Sequence, residues 1–215
     1  ISATENNNAM VSGEGRGNTI QDSVKVCQWL EAEGVDAIHV SGGSYFPHPR
    51  NPAGDLPVDD FIRVYDSMIS SGTKTFRNFL LLQNDLTGKL FRQRWVKQRG
   101  EVIEGVNLAD SAAIKAAVKI PVICTGGFQT ASVIRDAIAS SACDAVSMAR
   151  PLIANPDLPR MFERGLDRAP VPCTYCNKCL VNVVEHPLGC YDETRFTTRE
   201  AMVRSILSVY GPAGT

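Results

Sequence analysis

Apolar residues recur along this chain in two alternating rhythms. Between Gln21 and Glu33, Val24, Cys27, Leu30 and Ala32 fall near one face at helical spacing, and Gly34 supplies the stop. The β-branched run Val35 to Val40 then ends in Ser41-Gly42-Gly43, which predicts a buried parallel strand with a loop at its C-terminal end. Val58 to Ile69 predicts a second helix, with Phe61, Ile62, Tyr65 and Met68 at helical spacing, and a short strand is expected at the LLLQ run near Leu80. Asp85 to Arg99 is polar and basic; Phe91 and Trp95, one helical turn apart, read as the pins of a helix rather than as part of a nucleic-acid patch. Leu108 to Val118 is an Ala-rich helix, Ile120 to Phe128 an apolar strand running into a double glycine, and Thr130 to Ile138 a helix capped by Thr130. Cys143 to Arg150 is a further apolar strand, and Thr198 to Val209 a final amphipathic helix after a proline-punctuated tail. Strand-helix alternation of this kind predicts a parallel α/β fold.

Composition narrows the class. The 215 residues are 44% hydrophobic and 21% charged, enough for one domain with a real core. A complete eight-stranded barrel usually takes about 250 residues or more. Net charge is −1, so nothing invites nucleic acid or an anionic membrane. No apolar run reaches the roughly 20 residues that span a bilayer. The opening ISATENNN has neither the charged nor the apolar region of a secretion signal, so a cytoplasmic location is expected. It lacks an initiator Met and begins in mid-pattern, which points to a processed, split or partial sequence.

Two consecutive strand ends carry the chemistry. Gly126 and Gly127 permit close backbone approach, and their N–H groups, with the N-terminus of the following helix, make a ready anion site. One strand-helix unit later, Ala149 leaves room and Arg150 can give a phosphate a two-pronged contact. A lone double glycine is often just a tight turn and a lone Arg a surface charge; at successive strand ends they are harder to dismiss. By contrast, GEGRG (Gly13 to Gly17) lacks the strand and helix a phosphate loop needs and reads as a mobile loop.

Seven cysteines are the one unusual count. Cys27, Cys124 and Cys143 sit in apolar patterns and read as buried thiols. Cys173, Cys176 and Cys179 form one short loop, with Cys190 eleven residues further on. One compact turn reaching three irons, with a more distant fourth Cys, suits a [4Fe–4S] cubane. Zinc and thiols kept without metal remain the alternatives.

The segments KIPVICTGGF, CDAVSMARPLIANPDL, CTYCNKCL and GCYD together resemble the old yellow enzyme (NADH:flavin oxidoreductase) family, in its 2,4-dienoyl-CoA reductase and trimethylamine dehydrogenase branch. ISATE and GVDAIHVSGG are similar to the family's fifth and sixth barrel strands, and IEGVNLADSAAIKAAVKIPV leads into the seventh. The resemblance implies the C-terminal half of a TIM (β/α)8 barrel over residues 1–165, a cysteine-rich extension over 166–195 and a C-terminal helix over 196–215. It places Gly126, Gly127, Ala149 and Arg150 at the FMN phosphate, and Tyr45 and His48 on the substrate side. It makes Cys173, Cys176, Cys179 and Cys190 ligands of a cluster that exchanges electrons with FMN, although the last interval is shorter than the branch's.

The implied activity is NAD(P)H-driven, FMN-dependent reduction of activated C=C bonds in small unsaturated carbonyl or enoyl thioester substrates. The alternatives are an amine dehydrogenase or demethylase, and a cofactor-holding relay subunit without substrate chemistry. No catalytic residue is expected in this half, because the substrate-anchoring pair and the proton-donating Tyr belong to the first four strands. A half barrel exposes two sheet edges, so the partner expected is the N-terminal half, in the same or another chain. Alone, the chain should aggregate or dimerise, and a homo-oligomer fits the same reasoning. The sequence stops one helix past the cysteines, with no FAD or pyridine-nucleotide domain, which suggests a single-barrel relative.

Overall fold

A computed structural model describes residues 1–5, 17–44, 48–64, 73–209 and 211. Four strands form one all-parallel sheet in chain order: β1 (Ser2–Glu5), β2 (Ile38–Gly43), β3 (Val122–Thr125) and β4 (Ala145–Ser147). Ile38, His39 and Val40 stand opposite Val122, Ile123 and Cys124, and Ile123, Cys124 and Thr125 opposite Ala145, Val146 and Ser147. Parallel neighbours need crossovers, and helices supply them. α1 (Ile20–Ala32) follows β1, α5 (Leu108–Lys115) precedes β3, and α6 (Ala131–Ala139) joins β3 to β4. A doubly wound sheet reverses its strand order partway; this one does not.

The strands alternate, and that alternation decides which face is covered. Ile38, Val40, Val122 and Ala3 point outward into a core with Cys27 of α1 and Ile114 of α5. Cys124 continues that layer with Phe128, Ala137 and Cys143. The intervening His39 is exposed, and Thr125 and Ser147 are half-buried. Among the described residues, the sheet therefore buries one face and leaves the other polar, where the apolar run had suggested a strand buried on both.

Helices α2 (Val58–Arg63), α3 (Thr73–Gln83) and α4 (Asp85–Arg99) form a satellite core around Val58, Leu82, Phe91 and Trp95. The strand expected near Leu80 is instead the end of α3. An apolar run this short fits either element, and here Leu82 faces the satellite core while Leu80 is half exposed. Asn84 separates the two helices by accepting the Leu86 and Thr87 N–H groups at 3.1 and 3.2 Å. The helix expected over 58–69 is described through Arg63; positions 65–72 lie outside the described residues, as does most of GEGRG.

Short helices follow the sheet: α7 (Arg150–Ala154), α8 (Leu158–Glu163), α9 (Lys178–Asn182) and α10 (Arg199–Ser208). Thr198 caps α10 by accepting the Ala201 N–H. No described helix is long and apolar enough to cross a membrane.

Candidate site at the strand ends

The open face carries a polar cluster drawn from three neighbouring strands. His39 Nε2 lies 2.5 Å from Thr125 Oγ1 and 2.7 Å from Ser147 Oγ, and the two hydroxyls are hydrogen-bonded to each other. Asn107 stands at the same end, donating from Nδ2 to the Thr125 carbonyl at 2.6 Å. Sequence reasoning passed over these residues. The one local sign was the polar His39 between Ile38 and Val40, with Thr125 and Ser147 closing the next two strands.

Directly beyond Thr125 come the two glycines, and the structure gives them a reason that needs no ligand. The 103–107 segment lies across this strand end, with Gly105 N–H donating to the Gly126 carbonyl at 2.6 Å. A Cβ on Gly126 would stand 3.2 Å from Val106 N. On Gly127, whose φ is +71°, it would stand 3.0 Å from the Ile103 carbonyl oxygen.

The N-terminus of α6, expected to complete an anion site, is already closed by an internal anion. Glu104 Oε2 accepts the Gln129 and Thr130 N–H groups, both at 3.0 Å, and Oε1 accepts the Thr130 hydroxyl at 2.8 Å. Asp167 takes the Ser132 N–H at 2.7 Å. Thr130 thus caps α6 by position only; its hydroxyl serves Glu104. This corrects the expectation: what the strand ends can offer a phosphate is the glycine backbone and the N-terminus of α7, where Ala149 is exposed and no side chain caps the helix.

Arg150, expected to be a phosphate clamp, is drawn into the interior. Its Nη1 donates to the Ala53 carbonyl and to Asn177 Oδ1, each at 2.5 Å, and its guanidinium lies 5.3 Å over the Tyr175 ring. Burial lowers its pKa, while the neighbouring Cys173 and Cys179 thiols oppose that shift. Tyr175 donates its hydroxyl to the Gly127 carbonyl, so one aromatic ring links the Gly127 and Arg150 strand ends. Asn177 Nδ2 donates to the Pro52 and Asp55 carbonyls at 3.2 and 2.9 Å, and Trp95 Nε1 donates to the Gly54 carbonyl at 2.8 Å. Gly54 must be glycine here, because a Cβ would stand 2.2 Å from the Tyr175 carbonyl oxygen. The cysteine-rich turn is therefore a clamp on the segment from Pro52 to Asp55.

The two substrate-side candidates fare differently. His48 is buried, and its Nδ1 accepts the Arg50 N–H at 3.1 Å, which is the arrangement of a loop anchor. Tyr45 lies outside the described residues.

Cys173, Cys176, Cys179 and Cys190 line one cavity of about 10 Å3 with Arg150, Asp192 and Arg195. Burial raises the pKa of the first three, pushing Cys179 to about 12 with help from its neighbouring thiols. Among the described residues, no group of three or more His, Cys, Asp and Glu is arranged to hold a metal ion. The cavity has room for at most about one water. The expected [4Fe–4S] cluster therefore finds no support in the arrangement of these residues. The remaining thiols lie in the sheet cores as expected: Cys27, Cys124 and Cys143 are buried.

Comparison with known proteins bears on this same region. Residues 91–169 match the NADH:flavin oxidoreductase / NADH oxidase family. The chain is 27% identical over 214 residues to an NADH oxidase of Thermoanaerobacter brockii, covering 92% of this chain and 25% of that protein. It is 26% identical over 170 residues to a bilirubin reductase of Mediterraneibacter gnavus (strain CC55_001C), covering 79% of this chain and 20% of the relative. A solved 2-naphthoyl-CoA reductase, in complex with 2-naphthoyl-CoA, superposes with a TM-score of 0.51 at 19% identity, over 86% of this chain and 22% of its own. At that identity the likeness speaks to the fold. The chain spans a quarter or less of the length of these relatives.

Proposed function

As a partial member of the NADH:flavin oxidoreductase (old yellow enzyme) family, this chain is, we propose, the flavin-phosphate half of an oxidoreductase barrel. The observation that carries the reading is the position of the family match. Residues 91–169 contain β3 and β4 with both of their C-terminal ends, where phosphate sites of β/α barrels lie. The sequential parallel strands and the exposed polar inner face support a sheet completed by further strands, from the same chain or another.

In this reading the Gly126-Gly127 backbone and the uncapped N-terminus of α7 at Ala149 hold the FMN phosphate. Arg150 supplies positive charge beneath it. His39, Thr125 and Ser147 present hydrogen-bonding groups on the inner wall below the same strand ends. FMN, when bound, supplies hydride chemistry between NAD(P)H and an activated C=C bond, and the protein supplies position and electrostatics. One relative is a bilirubin reductase by name, which favours a conjugated substrate.

The test compares FMN with riboflavin, which lacks the phosphate, by flavin fluorescence on the full-length protein. A charge-assisted contact contributes about 1.5–3 kcal/mol, so FMN should bind at least ~10-fold more tightly. Arg150→Ala should shrink that ratio. Equal affinity of the unaltered protein for the two flavins overturns the phosphate site.

A further inference from the structure

Three polar atoms on the open face of the sheet close a triangle, and the protons available to it decide what it can show a ligand. His39 Nε2 stands 2.5 Å from Thr125 Oγ1 and 2.7 Å from Ser147 Oγ, and the two hydroxyls are bonded to each other. An imidazole nitrogen has one site in the plane of its ring, so Nε2 carries either a lone pair or an N–H. With a lone pair, one hydroxyl donates to Nε2 and the other donates to its neighbour. Both hydroxyl protons are then taken up inside the triangle, and the open face meets only oxygen lone pairs. With an N–H, Nε2 donates, one hydroxyl proton serves the Thr125–Ser147 contact, and the second is left for a group outside. The ring is exposed, and Thr125 and Ser147 stand opposite one another at the ends of β3 and β4. The surroundings leave the choice to His39. β3 and β4 set Ile123 and Ala145 level with it, and neither titrates. From β1, the amino group of Ile1 meets the His39 backbone carbonyl at 2.6 Å, and Glu5 lies opposite Gly43 at the far end of β2. Asn107, just before α5, directs its amide to the Thr125 carbonyl.

We propose that His39 is a positioning residue of the strand-end site. Its protonation turns the Thr125–Ser147 pair from acceptors into a donor and sets a positive charge below it, so an anionic ligand binds together with a proton. The proposal rests on the flavin reading, in which FMN is that ligand. Linkage fixes the sign. Histidine changes charge between about pH 5 and pH 8, so FMN binding should weaken as pH rises through that range. A phosphate monoester instead gains negative charge near pH ~6, which would tighten binding to N–H groups as pH rises. The two effects oppose each other, so weakening cannot come from the phosphate.

The test measures FMN affinity of the full-length protein by flavin fluorescence across that pH range. FMN should bind at least ~5-fold more weakly at about pH 8 than at about pH 6. His39→Gln keeps an N–H donor that does not titrate, so it should retain binding and lose the pH dependence, whereas His39→Ala should bind weakly throughout. His186→Gln, on the exposed stretch after α9, should keep the pH dependence of the unaltered protein. If His39→Gln does not fold, Thr125→Val combined with Ser147→Ala, which removes both hydroxyls, should shrink the pH effect. Affinity that is equal or tighter at the higher pH in the unaltered protein overturns the proposal and leaves the flavin site standing. A pH effect undiminished in His39→Gln, or in the paired hydroxyl variant, overturns it too. No FMN binding at any pH overturns the flavin reading and the proposal with it.

Discussion

Replacing Glu104 tests whether an internal carboxylate, rather than a ligand, closes the N-terminus of α6. The side chain accepts three hydrogen bonds, two of them from the backbone N–H groups of Gln129 and Thr130. Gln129 is 1% exposed, so its N–H has no water to turn to once the carboxylate is gone, whereas half-buried Thr130 does. An unsatisfied buried donor costs about 1–3 kcal/mol and a charge-assisted bond contributes about 1.5–3 kcal/mol. The helix dipole adds about 0.3–1 kcal/mol. These overlap, so Glu104→Ala should lose about 2–4 kcal/mol in urea unfolding. A chain of this size shifts by about 2–4 °C per kcal/mol, giving a fall in Tm of roughly 5–15 °C. Glu104→Gln keeps a neutral acceptor and should lose only about 1 kcal/mol.

The same substitution opens an anion site. Inorganic phosphate should therefore raise the Tm of Glu104→Ala more than that of the unaltered protein, because it binds the folded state at the vacated N–H of half-buried Thr130. An alanine variant within about 0.5 kcal/mol of the parent would refute the capping argument. An equal response of the two proteins to phosphate would refute the anion argument.

Two further outcomes follow from the packing. Trp95→Phe leaves the Gly54 carbonyl without its indole donor inside the satellite core and should lose about 1–3 kcal/mol in urea unfolding; a loss below about 0.5 kcal/mol would show that the clamp does not need that bond. Asp144 accepts from Lys115 Nζ and from the Val122 N–H, and the Lys115 bond, first, and the backbone bond hold its carboxyl below the ordinary range. A folded pKa below the unfolded one gives stability that is present above about pH 4 and lost as pH falls through the folded value. Asp144→Asn should flatten that acid limb in unfolding curves taken between about pH 5 and pH 2, and an unchanged limb would discount the pair.

Local pattern made much of the fold readable. Helical spacing marked α1 and α4, and the double glycine and the Ala-Arg pair sit at the ends of β3 and β4 where the strand patterns place them. The apolar run at Leu80 was misread because four residues cannot separate a period of 2 from one of 3.6. Thr130 had the right residue and position for a cap, but nothing local showed that its hydroxyl would turn to Glu104.

What the sequence determined by itself was the alternation of strands and helices, the order of the polar and apolar positions on each, and the place of the glycines. These follow from contacts within a few residues, which leave a periodic trace. Only the tertiary structure decided where the charges go. Glu104 meets Thr130 across 26 positions, Arg150 reaches Ala53 across 97, and Asn177 reaches Pro52 across 125. Such partners are chosen by the packing of whole elements, and a buried charge must take the nearest donor or acceptor that packing brings to it. The same rule turned Arg150 from a free phosphate clamp into part of a knot, and left the α7 end open where the α6 end is filled.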